Sequence, residues 1–481
     1  CVAAQFAGAT ATPEFLTYLD HFLRIDYGQD YYKRLDKVIE FRVSGDLTLK
    51  GKIENMFQQV VYTVNQPAAA RGNQSVFWNI AYFDKYYFEA IFKGFFFPDG
   101  DKPCWESVNV LQKLFMKWFN KERTHEVMTF PVETFNLLND GNGDYKDKEN
   151  AEFCAEMLAE GHSFFIYQSD SPDALASCCR LRNALENNEF SYTLGAGGIE
   201  TGSKGVITLN LNRIVQDWKN EGCKVTLKER ITEITERVHK YLSAFNDIVW
   251  DYYNNGMLQI YNEGFINLDK QFLTIGINGF VEGAEFLGYR ISPDDENYKQ
   301  YAIDILTTIK DLNKRDRQPH CKFNTEFVPA ESLGVKNAKW DKEDGYWVPR
   351  DVYNSYFYIV EDTHTTPLEK FELMGKDFTG CLDGGSALHM NLDEHLSKAQ
   401  YEMLMKVAVK DGCNYFTFNI PNTVCNDCGH ISKQNLKACP KCGSTNLDYL
   451  TRVIGYLKRV SNFSEARQRE AKRRYYADNI Q

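Results

Sequence analysis

The sequence predicts an α/β fold with a small cysteine-rich segment near the C-terminus. Helical and strand-like patterns alternate through the first 420 residues, which is typical of α/β domains. Pro421 ends the last strand-like run, because a proline cannot donate a backbone hydrogen bond to a sheet. Four cysteines in two close pairs follow. We therefore expect an α/β domain at 1–420, a four-cysteine segment at 421–450, and a C-terminal loop and helix at 451–481.

The composition favours a large protein that acts on small molecules. The 481 residues are 43% hydrophobic, enough to bury a large core. The formal net charge of −11 disfavours nonspecific binding to nucleic acid or to an anionic membrane, since the field of the protein repels phosphate. The longest apolar run, residues 86–97, contains Glu89 and Lys93 and is too short to span a bilayer. We expect neither nucleic acid nor a membrane as a partner.

The cysteines and the first residues indicate the cellular setting. Thirteen cysteines, most of them scattered, do not resemble the dense disulfide framework of a small secreted domain, so we expect a reducing cytoplasm. The first residues, CVAAQFAGAT, lack both an initiating methionine and the basic start of a signal peptide. We therefore expect further sequence upstream of Cys1.

One helix and two strands near the motifs are predicted from periodicity. Apolar residues recur at helical spacing from Ser397 to Lys410, with Ser397 placed to cap the helix and Gly412 to end it. Residues 414–420 alternate as a strand does. A second strand, VITLNLN at 206–212, would present two faces, one with Ile207, Leu209 and Leu211 and the other with Thr208, Asn210 and Asn212. The polar face would meet water or a functional site.

The four clustered cysteines predict a structural zinc site. Cys425 and Cys428 form one pair and Cys439 and Cys442 form another, ten residues later, which is the spacing of two thiolate knuckles around a tetrahedral zinc. Disulfides, an iron–sulfur cluster and free thiols are the alternatives. A zinc ribbon by itself would also fit a nucleic-acid-binding protein, but the acidic chain argues against that function.

Gly455, in the segment RVIGYL shortly after the last cysteine, carries the most specific resemblance. A lone glycine in an apolar segment is usually a turn or a bulge. Here, however, the segment after four cysteines resembles the glycyl-radical loop of class III anaerobic ribonucleoside-triphosphate reductases. Similar motifs occur in the family's order through most of the chain: SCCRLRN, TGSKGVITLNLNRI, TIGINGF, VPAES and DGGSALHMNL. Only glycine suits the role, because a Cα radical without a Cβ can flatten without strain.

The resemblance implies a fold and a pair of radical residues. The fold is a ten-stranded α/β barrel of the glycyl-radical enzyme type, with a small C-terminal zinc-binding radical domain. Gly455 would store the radical, and a cysteine on a central loop would take it over and abstract the ribose 3′ hydrogen. We assign that cysteine to Cys179, with its neighbour Cys178 as the alternative. Without the resemblance, Cys179 would be interpreted as an inert buried thiol.

The resemblance also implies substrate contacts. Asn210 matches an asparagine near the substrate ribose, and Gly384, Gly385 and Ser386 match a loop that holds the substrate phosphates. Glycines let backbone N–H groups approach a phosphate, and the serine adds a hydroxyl. By themselves these residues would be interpreted as a hydrogen-bonded barrel amide and an ordinary turn.

Cofactors and partners follow from the family as expectations. A separate activating enzyme that uses S-adenosylmethionine and an iron–sulfur cluster would install the radical on Gly455. Formate is the expected reductant, with a thioredoxin-like protein as the alternative. ATP, dATP and other deoxynucleoside triphosphates would act as effectors, and the chain would form a homodimer. The family's ATP-cone and second active-site cysteine would lie upstream of Cys1.

Two other functions compete with this interpretation. One is a glycyl-radical enzyme of the formate-lyase or dehydratase kind, which generally lacks the four zinc cysteines. The other is a noncatalytic zinc-ribbon binding protein. A basic run could dock an acidic partner, but we prefer to interpret it as a solvated helix face and give it no site; it contains Arg467, Arg469, Lys472, Arg473 and Arg474.

Overall fold

The described residues form a mostly parallel six-stranded sheet, a parallel three-stranded sheet, a small antiparallel four-stranded sheet and two two-stranded sheets, with helices in between. The structure, a computed structural model, describes residues 9–41, 43, 45–67, 75–172, 174–177, 181–184, 202–264, 267–328, 332–453 and 455–478. The strands in chain order are β1 (Ala9–Ala11), β2 (Val38–Glu40), β3 (Leu47–Thr48), β4 (Phe77–Phe83), β5 (Val132–Leu138), β6 (Phe165–Ser169), β7 (Ala174–Ser177), β8 (Leu181–Ala184), β9 (Gly202–Asn210), β10 (Gln271–Asn278), β11 (Lys322–Glu326), β12 (Leu388–Asn391), β13 (Tyr415–Asn419), β14 (Asn422–Cys425), β15 (Ile431–Ser432), β16 (Leu447–Thr451) and β17 (Lys458–Arg459).

The helices occupy most of the segments between strands. They are α1 (Phe15–Tyr27), α2 (Leu49–Asn65), α3 (Lys85–Phe92), α4 (Trp105–Glu122), α5 (Lys148–Ala159), α6 (Leu211–Asn220), α7 (Leu227–Asn254), α8 (Gln259–Asn262), α9 (Phe280–Phe286), α10 (Glu296–Ala302), α11 (Thr308–Arg315), α12 (Leu333–Glu343), α13 (Pro367–Leu373), α14 (Lys376–Thr379), α15 (Lys398–Asp411) and α16 (Glu465–Arg473). A π-helical turn at Ile303–Thr307 joins α10 to α11. No helix in the described ranges has both the length and the apolar character needed to cross a bilayer.

The sheet topology confirms the predicted α/β fold. The larger sheet has the strand order β1-β4-β5-β6-β13-β12, in which every neighbouring pair is parallel except β6 with β13. A second sheet, β11-β10-β9, is entirely parallel. A parallel bridge between Glu326 and Gly385 links the end of β11 to the segment that leads into β12. The sheets therefore confirm the α/β fold class. The ten-stranded barrel stays a prediction.

The local predictions are confirmed in part. Helix α15 begins after Ser397, whose hydroxyl accepts from the Gln400 N–H, and it ends at Gly412 with φ of 72°. Strand β13 forms as expected, although both of its faces are buried. The strand predicted at 206–212 was wrong at its end, because Leu211 and Asn212 begin helix α6. The Asn210 side chain accepts from the Arg213 N–H and so caps that helix instead of continuing the strand.

Lys370 on α13 is a buried cation in the core of the α/β unit. It is 1% exposed, and its Nζ lies 5.4 Å from the ring centroid of Tyr358 and 5.3 Å from that of Tyr475. Burial lowers the pKa of Lys370 to about 8, although the charge of Asp362 opposes the shift. The charged form is therefore accommodated at a cost, which the two aromatic rings offset only in part.

We predict that Lys370→Met raises the free energy of unfolding by about 1–3 kcal/mol at pH 7. The folded pKa of about 8 lies below the unfolded value of about 10.4, so wild-type stability rises with pH between these values. The gain from methionine should therefore shrink toward pH 10, as measured by urea unfolding at several pH values. Lys339→Met, at an exposed lysine, is the control. A gain that does not depend on pH would contradict this account.

Candidate functional site

The four cysteines predicted as metal ligands come together at one end of the antiparallel sheet β15-β14-β16-β17. Their Sγ atoms all lie within 4.8 Å of one another. Cys425 and Cys442 are 3.6 Å apart, as are Cys428 and Cys439. Each pair makes the same turn, in which the N–H of the following glycine donates to the carbonyl of the first cysteine, Gly429 to Cys425 and Gly443 to Cys439. The two knuckles therefore face each other.

This arrangement fits a tetrahedral metal ion. A zinc ion bound at about 2.3 Å by four thiolates holds its sulfur atoms about 3.8 Å apart, whereas a disulfide requires about 2.05 Å. Burial would raise the pKa of the Cys439 thiol, but the backbone N–H groups of Cys442 and Lys441 lower it to about 7. At Cys442 a backbone hydrogen bond from Ser444 lowers the pKa of the thiol, but hydrogen bonds with Cys428 and Cys425 together raise it by more. A zinc ion held by the four cysteines would take them as thiolates and displace the remaining protons. With all four positions taken by protein, such a site would be structural.

The antiparallel sheet is attached to the α/β unit by polar contacts. Lys433 donates from Nζ to the Asn120 Oδ1 at 2.6 Å and to the Glu160 carbonyl at 3.1 Å. The Lys433 carbonyl in turn accepts from His395 Nε2 at 2.7 Å. A small apolar cluster of Val424, Ile431 and Leu450 supports the sheet from within. The four-cysteine cluster is thus attached to the α/β unit by these hydrogen bonds.

Gly455 lies in a buried loop that leaves strand β16. Asn419, at the end of β13, anchors the start of this loop, because its Oδ1 accepts from the Arg452 N–H at 2.9 Å and from the Thr451 hydroxyl at 3.2 Å. The Gly455 carbonyl accepts from Arg452 Nη1 at 2.8 Å. Both Arg452 and Gly455 are buried. The loop is therefore held inside the protein by side-chain hydrogen bonds.

Arg474, just after helix α16, holds the other side of the loop. Its guanidinium donates to the carbonyls of Arg452 and Val453 at 2.9 and 2.5 Å. Glu470 pairs with Arg474 at 2.6 Å and with Arg467 at 2.5 Å, and all three side chains are buried. Burial opposes ionisation of Glu470, but the two arginines lower its pKa. The interpretation of the basic run as a solvated helix face was therefore wrong for Arg467 and Arg474.

The remaining members of the basic run and the apolar flanks of the loop complete this region. Arg469, Lys472 and Arg473 are exposed, as expected of a solvated face. Val453 and Leu457 are buried, and Tyr456 packs edge-on and tilted against the rings of Phe77 and Phe130, with centroids 5.8 and 5.7 Å away. Ile454 lies outside the described residues.

Asn210 takes part in a polar cluster at the end of β9. Its Nδ2 donates to Asp341 Oδ1 at 2.9 Å. Asp341, which is completely buried, also accepts from Asn212, from Arg213 and from the Tyr353 hydroxyl. Asn210 is half-buried and fixed in orientation, since its oxygen caps α6 and its amide group binds Asp341. Any contact with a ligand would have to share these groups.

The 384–386 segment lies on the same parallel sheet as Asn210, beyond β11. The Gly384 N–H donates to the Thr325 carbonyl at 2.9 Å, so this donor is already used within the protein. The Gly385 carbonyl accepts from the Phe327 N–H at 3.2 Å. Ser386 is buried, and its hydroxyl has no hydrogen-bond partner among the described residues. Of the three residues, Ser386 thus offers the clearest group for a ligand.

Sequence reasoning missed several residues of this region, and two of its assignments cannot be located. Cys178 and Cys179 lie outside the described residues. The residues that hold the Gly455 loop were missed or, for Arg474, assigned to the solvent: Asn419, Arg452, Glu470, Arg474 and Ser163, whose hydroxyl and carbonyl accept from Arg452. Arg452 stands in the RVIGYL motif itself, and Glu470 and Arg474 are spaced four residues apart as a helical ion pair is, which is the signal that could have identified them.

Comparisons with known proteins agree on one family. The sequence model of the anaerobic ribonucleoside-triphosphate reductase family matches residues 1–476. A solved anaerobic ribonucleotide reductase is 28% identical, with a TM-score of 0.83 over 100% of this chain and 74% of that chain. The Thermotoga maritima anaerobic ribonucleotide reductase in complex with dATP and CTP is also 28% identical, with a TM-score of 0.80 over 97% of this chain and 75% of that chain.

A more distant structure shares the fold alone. The hydroxyproline dehydratase of Clostridioides difficile, solved with trans-4-hydroxy-L-proline, is 12% identical, with a TM-score of 0.53 over 96% of this chain and 64% of that chain. A comparison with curated proteins found no match.

Gly384 packs so closely against β11 that there is no room for a side chain. A Cβ added at Gly384 would lie 2.5 Å from the Thr325 carbonyl oxygen and 3.1 Å from the Glu326 Cβ. Gly384→Ala should therefore displace the 384–386 segment and lower the free energy of unfolding by about 1–3 kcal/mol, measured by denaturant unfolding. Gly202→Ala in β9 is the control, because its nearest neighbour would be 3.9 Å away. Equal stability of the two variants would contradict the close packing of this segment.

Proposed function

The chain belongs to the anaerobic ribonucleoside-triphosphate reductase family, and on that premise we propose how its residues divide the work of reducing a ribonucleoside triphosphate at C2′. The chain is an oxidoreductase that reduces ribonucleotides under anaerobic conditions. In our proposal Gly455 stores a radical on its Cα, and Cys179 becomes the thiyl that abstracts the ribose 3′ hydrogen. The 2′ hydroxyl then leaves as water, and formate supplies the two electrons as it is oxidised to carbon dioxide.

One observation supports Gly455 as the radical residue above all others. Gly455 is buried, follows the four-cysteine centre directly, and sits in a loop whose polar groups are bound by Asn419, Arg452 and Arg474. A carbon radical exposed to water and oxygen would be destroyed, so burial is a requirement of storage. Glycine also lacks the Cβ that would hinder flattening of the Cα radical.

The substrate contacts in this proposal use the edge of the parallel sheet. Asn210 would position the ribose through an amide already oriented by Asp341, and Ser386 would donate its unused hydroxyl to the substrate phosphates. Gly384 and Gly385 would serve mainly to bring the backbone close to the ligand, since the Gly384 N–H is occupied by Thr325. These contacts would place the substrate at the carboxyl ends of β9 and β11.

The proposed cofactors and partners complete the cycle. Zinc on Cys425, Cys428, Cys439 and Cys442 would fix the sheet from which the Gly455 loop departs. A separate enzyme that uses S-adenosylmethionine would generate the radical, and dATP-type nucleotides would act as effectors, as dATP is bound in the Thermotoga maritima structure. We also propose a homodimer. The distant dehydratase shares the fold but gives no reason to prefer dehydration as the reaction.

The first test of this proposal is spectroscopic. After anaerobic activation, the wild-type protein should give the doublet electron paramagnetic resonance signal of a glycyl radical, and Gly455→Ala should give none. The comparison uses equal protein and the same activating enzyme. Absence of the doublet from the wild-type protein, under conditions in which a known relative is activated, would reject Gly455 as the radical site.

The second test separates storage from chemistry. Cys179→Ala should keep the glycyl signal but lose nucleotide reduction by at least about 1,000-fold, because removal of a covalent catalytic group leaves only binding effects. Cys178→Ala is the matched control and should retain activity in an anaerobic assay of deoxynucleotide formation. If Cys178→Ala is the inactive variant and Cys179→Ala is active, the thiyl assignment belongs to Cys178.

The third test concerns the metal. Elemental analysis should find about one zinc per chain, and Cys439→Ser should lower that content and increase hydrogen exchange in the segment around Gly455. Cys223→Ser, at an exposed cysteine away from the cluster, should retain the zinc. A fully folded wild-type protein with no bound metal would refute the structural zinc.

A further inference from the structure

The Arg452 guanidinium is buried between the Gly455 loop and the segment that leads into β6, at Ser163 and Phe165. It is 1% exposed, although it is among the largest side chains of the chain. On one side its Nη1 donates to the Gly455 carbonyl at 2.8 Å. On the other side its Nε donates to the Ser163 hydroxyl at 3.0 Å and its Nη2 to the Ser163 carbonyl at 3.1 Å. One cationic group thus joins the glycine to the sheet.

The environment fixes this guanidinium in place. Its Cζ lies 4.8 Å from the ring centroid of Phe165, so the cation lies over an aromatic face. The Ser163 carbonyl also accepts from Arg123, which pairs with the buried Glu133 at 3.0 Å. Burial opposes ionisation of Glu133, but its neighbours, His162 first and then Arg123, lower its pKa. Arg452 therefore shares the Ser163 carbonyl with a buried ion pair of the core.

Burying an arginine costs free energy, because the guanidinium loses its hydration. The cost of removing a guanidinium from water is offset only when most of its N–H donors have acceptors of good geometry. Here three nitrogens of Arg452 have such acceptors, and one of them is the carbonyl of Gly455 itself. A simple packing role would not require that particular acceptor.

We infer that Arg452 is a positioning residue for the radical, an inference that rests on the proposed role of Gly455. A glycyl radical shares its unpaired electron between Cα, the amide nitrogen and the adjacent carbonyl. The charged donor at the Gly455 carbonyl oxygen draws electron density toward that oxygen, and charge-assisted hydrogen bonds are the strong ones. It also holds the peptide plane whose orientation determines where the Cα hydrogen points. Arg452 thereby stabilises the stored radical and fixes its direction.

The alternative is that Arg452 merely anchors the loop. An anchor would affect folding and metal content, whereas a positioning residue changes the radical even in a folded, zinc-loaded chain. The hyperfine splitting of the glycyl doublet reports the spin density and geometry at Cα. It is therefore the measurement that a merely structural role would leave unchanged.

The experiment uses the full chain, activated anaerobically by the same activating enzyme. Arg452→Lys keeps the positive charge but replaces the planar guanidinium, whose three nitrogens reach opposite sides, with one compact ammonium that does not reproduce this geometry toward Gly455 and Ser163. We expect a changed doublet splitting and a radical yield or lifetime about tenfold lower or more, in line with loss of a charged hydrogen bond. Arg469→Lys, at an exposed arginine paired with Asp351, is the matched control and should behave as wild type.

The outcomes separate this inference from the proposed function. No doublet from the wild type would reject Gly455 as the radical site, and with it the premise. A normal wild-type doublet with an identical splitting, yield and lifetime in Arg452→Lys would overturn the positioning role alone. If Arg452→Lys does not fold or loses zinc, Ser163→Ala decides, because it removes only one acceptor of the guanidinium. A shifted splitting in Ser163→Ala supports the inference, and an unchanged one overturns it.

Discussion

The structure depends on satisfying the backbone of a buried irregular loop. A loop inside a protein carries N–H and C=O groups that neither water nor a sheet neighbour can bind, and each unpaired group is costly. In the described residues of the Gly455 loop, side chains supply several of these partners. Asn419 binds the Arg452 N–H, Arg474 binds two successive carbonyls, and Arg452 binds the carbonyl of Gly455. These three side chains come from the end of β13, from the residue after β16 and from the residue after α16.

The four-cysteine sheet and the loop are coupled through strands β14 and β16. Strand β14 begins three residues after β13 ends, and β16 pairs with β14 from Asn422 opposite Leu450 to Cys425 opposite Leu447. Strand β16 therefore pairs with Cys425 of the first knuckle at its start and leads into the Gly455 loop at its end. A metal bound by the cysteines would stabilise the loop without touching it. In the proposed function, a closed, noncatalytic zinc site would influence the radical chemistry through this strand.

The sequence was informative where a feature depends on neighbours in the chain. The cap at Ser397, the stop at Gly412 and the cysteine pairs are local patterns, and each was found where predicted. The end of β9 was missed because Asn210 is compatible with either a strand or a helix cap, and the cap depends on how the chain turns toward α12. The burial of Arg467 and Arg474 was missed because an arginine-rich helix usually faces water. Their pairing with Glu470 is local, but the contacts of Arg474 with the Arg452 and Val453 carbonyls join residues about twenty positions apart, which no local pattern indicates. The substrate and radical roles came from the resemblance, since no spacing distinguishes a reactive cysteine from an inert one.

The chemistry of the loop contacts bears on how a buried glycine could be reached by another enzyme. If Gly455 is the radical site, the loop must leave the core for activation and return afterwards. Apolar contacts at Val453, Tyr456 and Leu457 favour the docked state, because exposing them costs free energy in proportion to area. The hydrogen bonds of the Arg452 and Arg474 guanidinium groups contribute differently. If the loop undocks, water replaces many of the hydrogen bonds that are broken. Their net contribution to docking is therefore smaller than the number of hydrogen bonds suggests, while their directional bonds still define one docked geometry. In the proposed function, storage of the radical requires one docked orientation and its installation by a separate enzyme requires that docking be reversible, and this division between directional bonds and apolar contacts would meet both requirements.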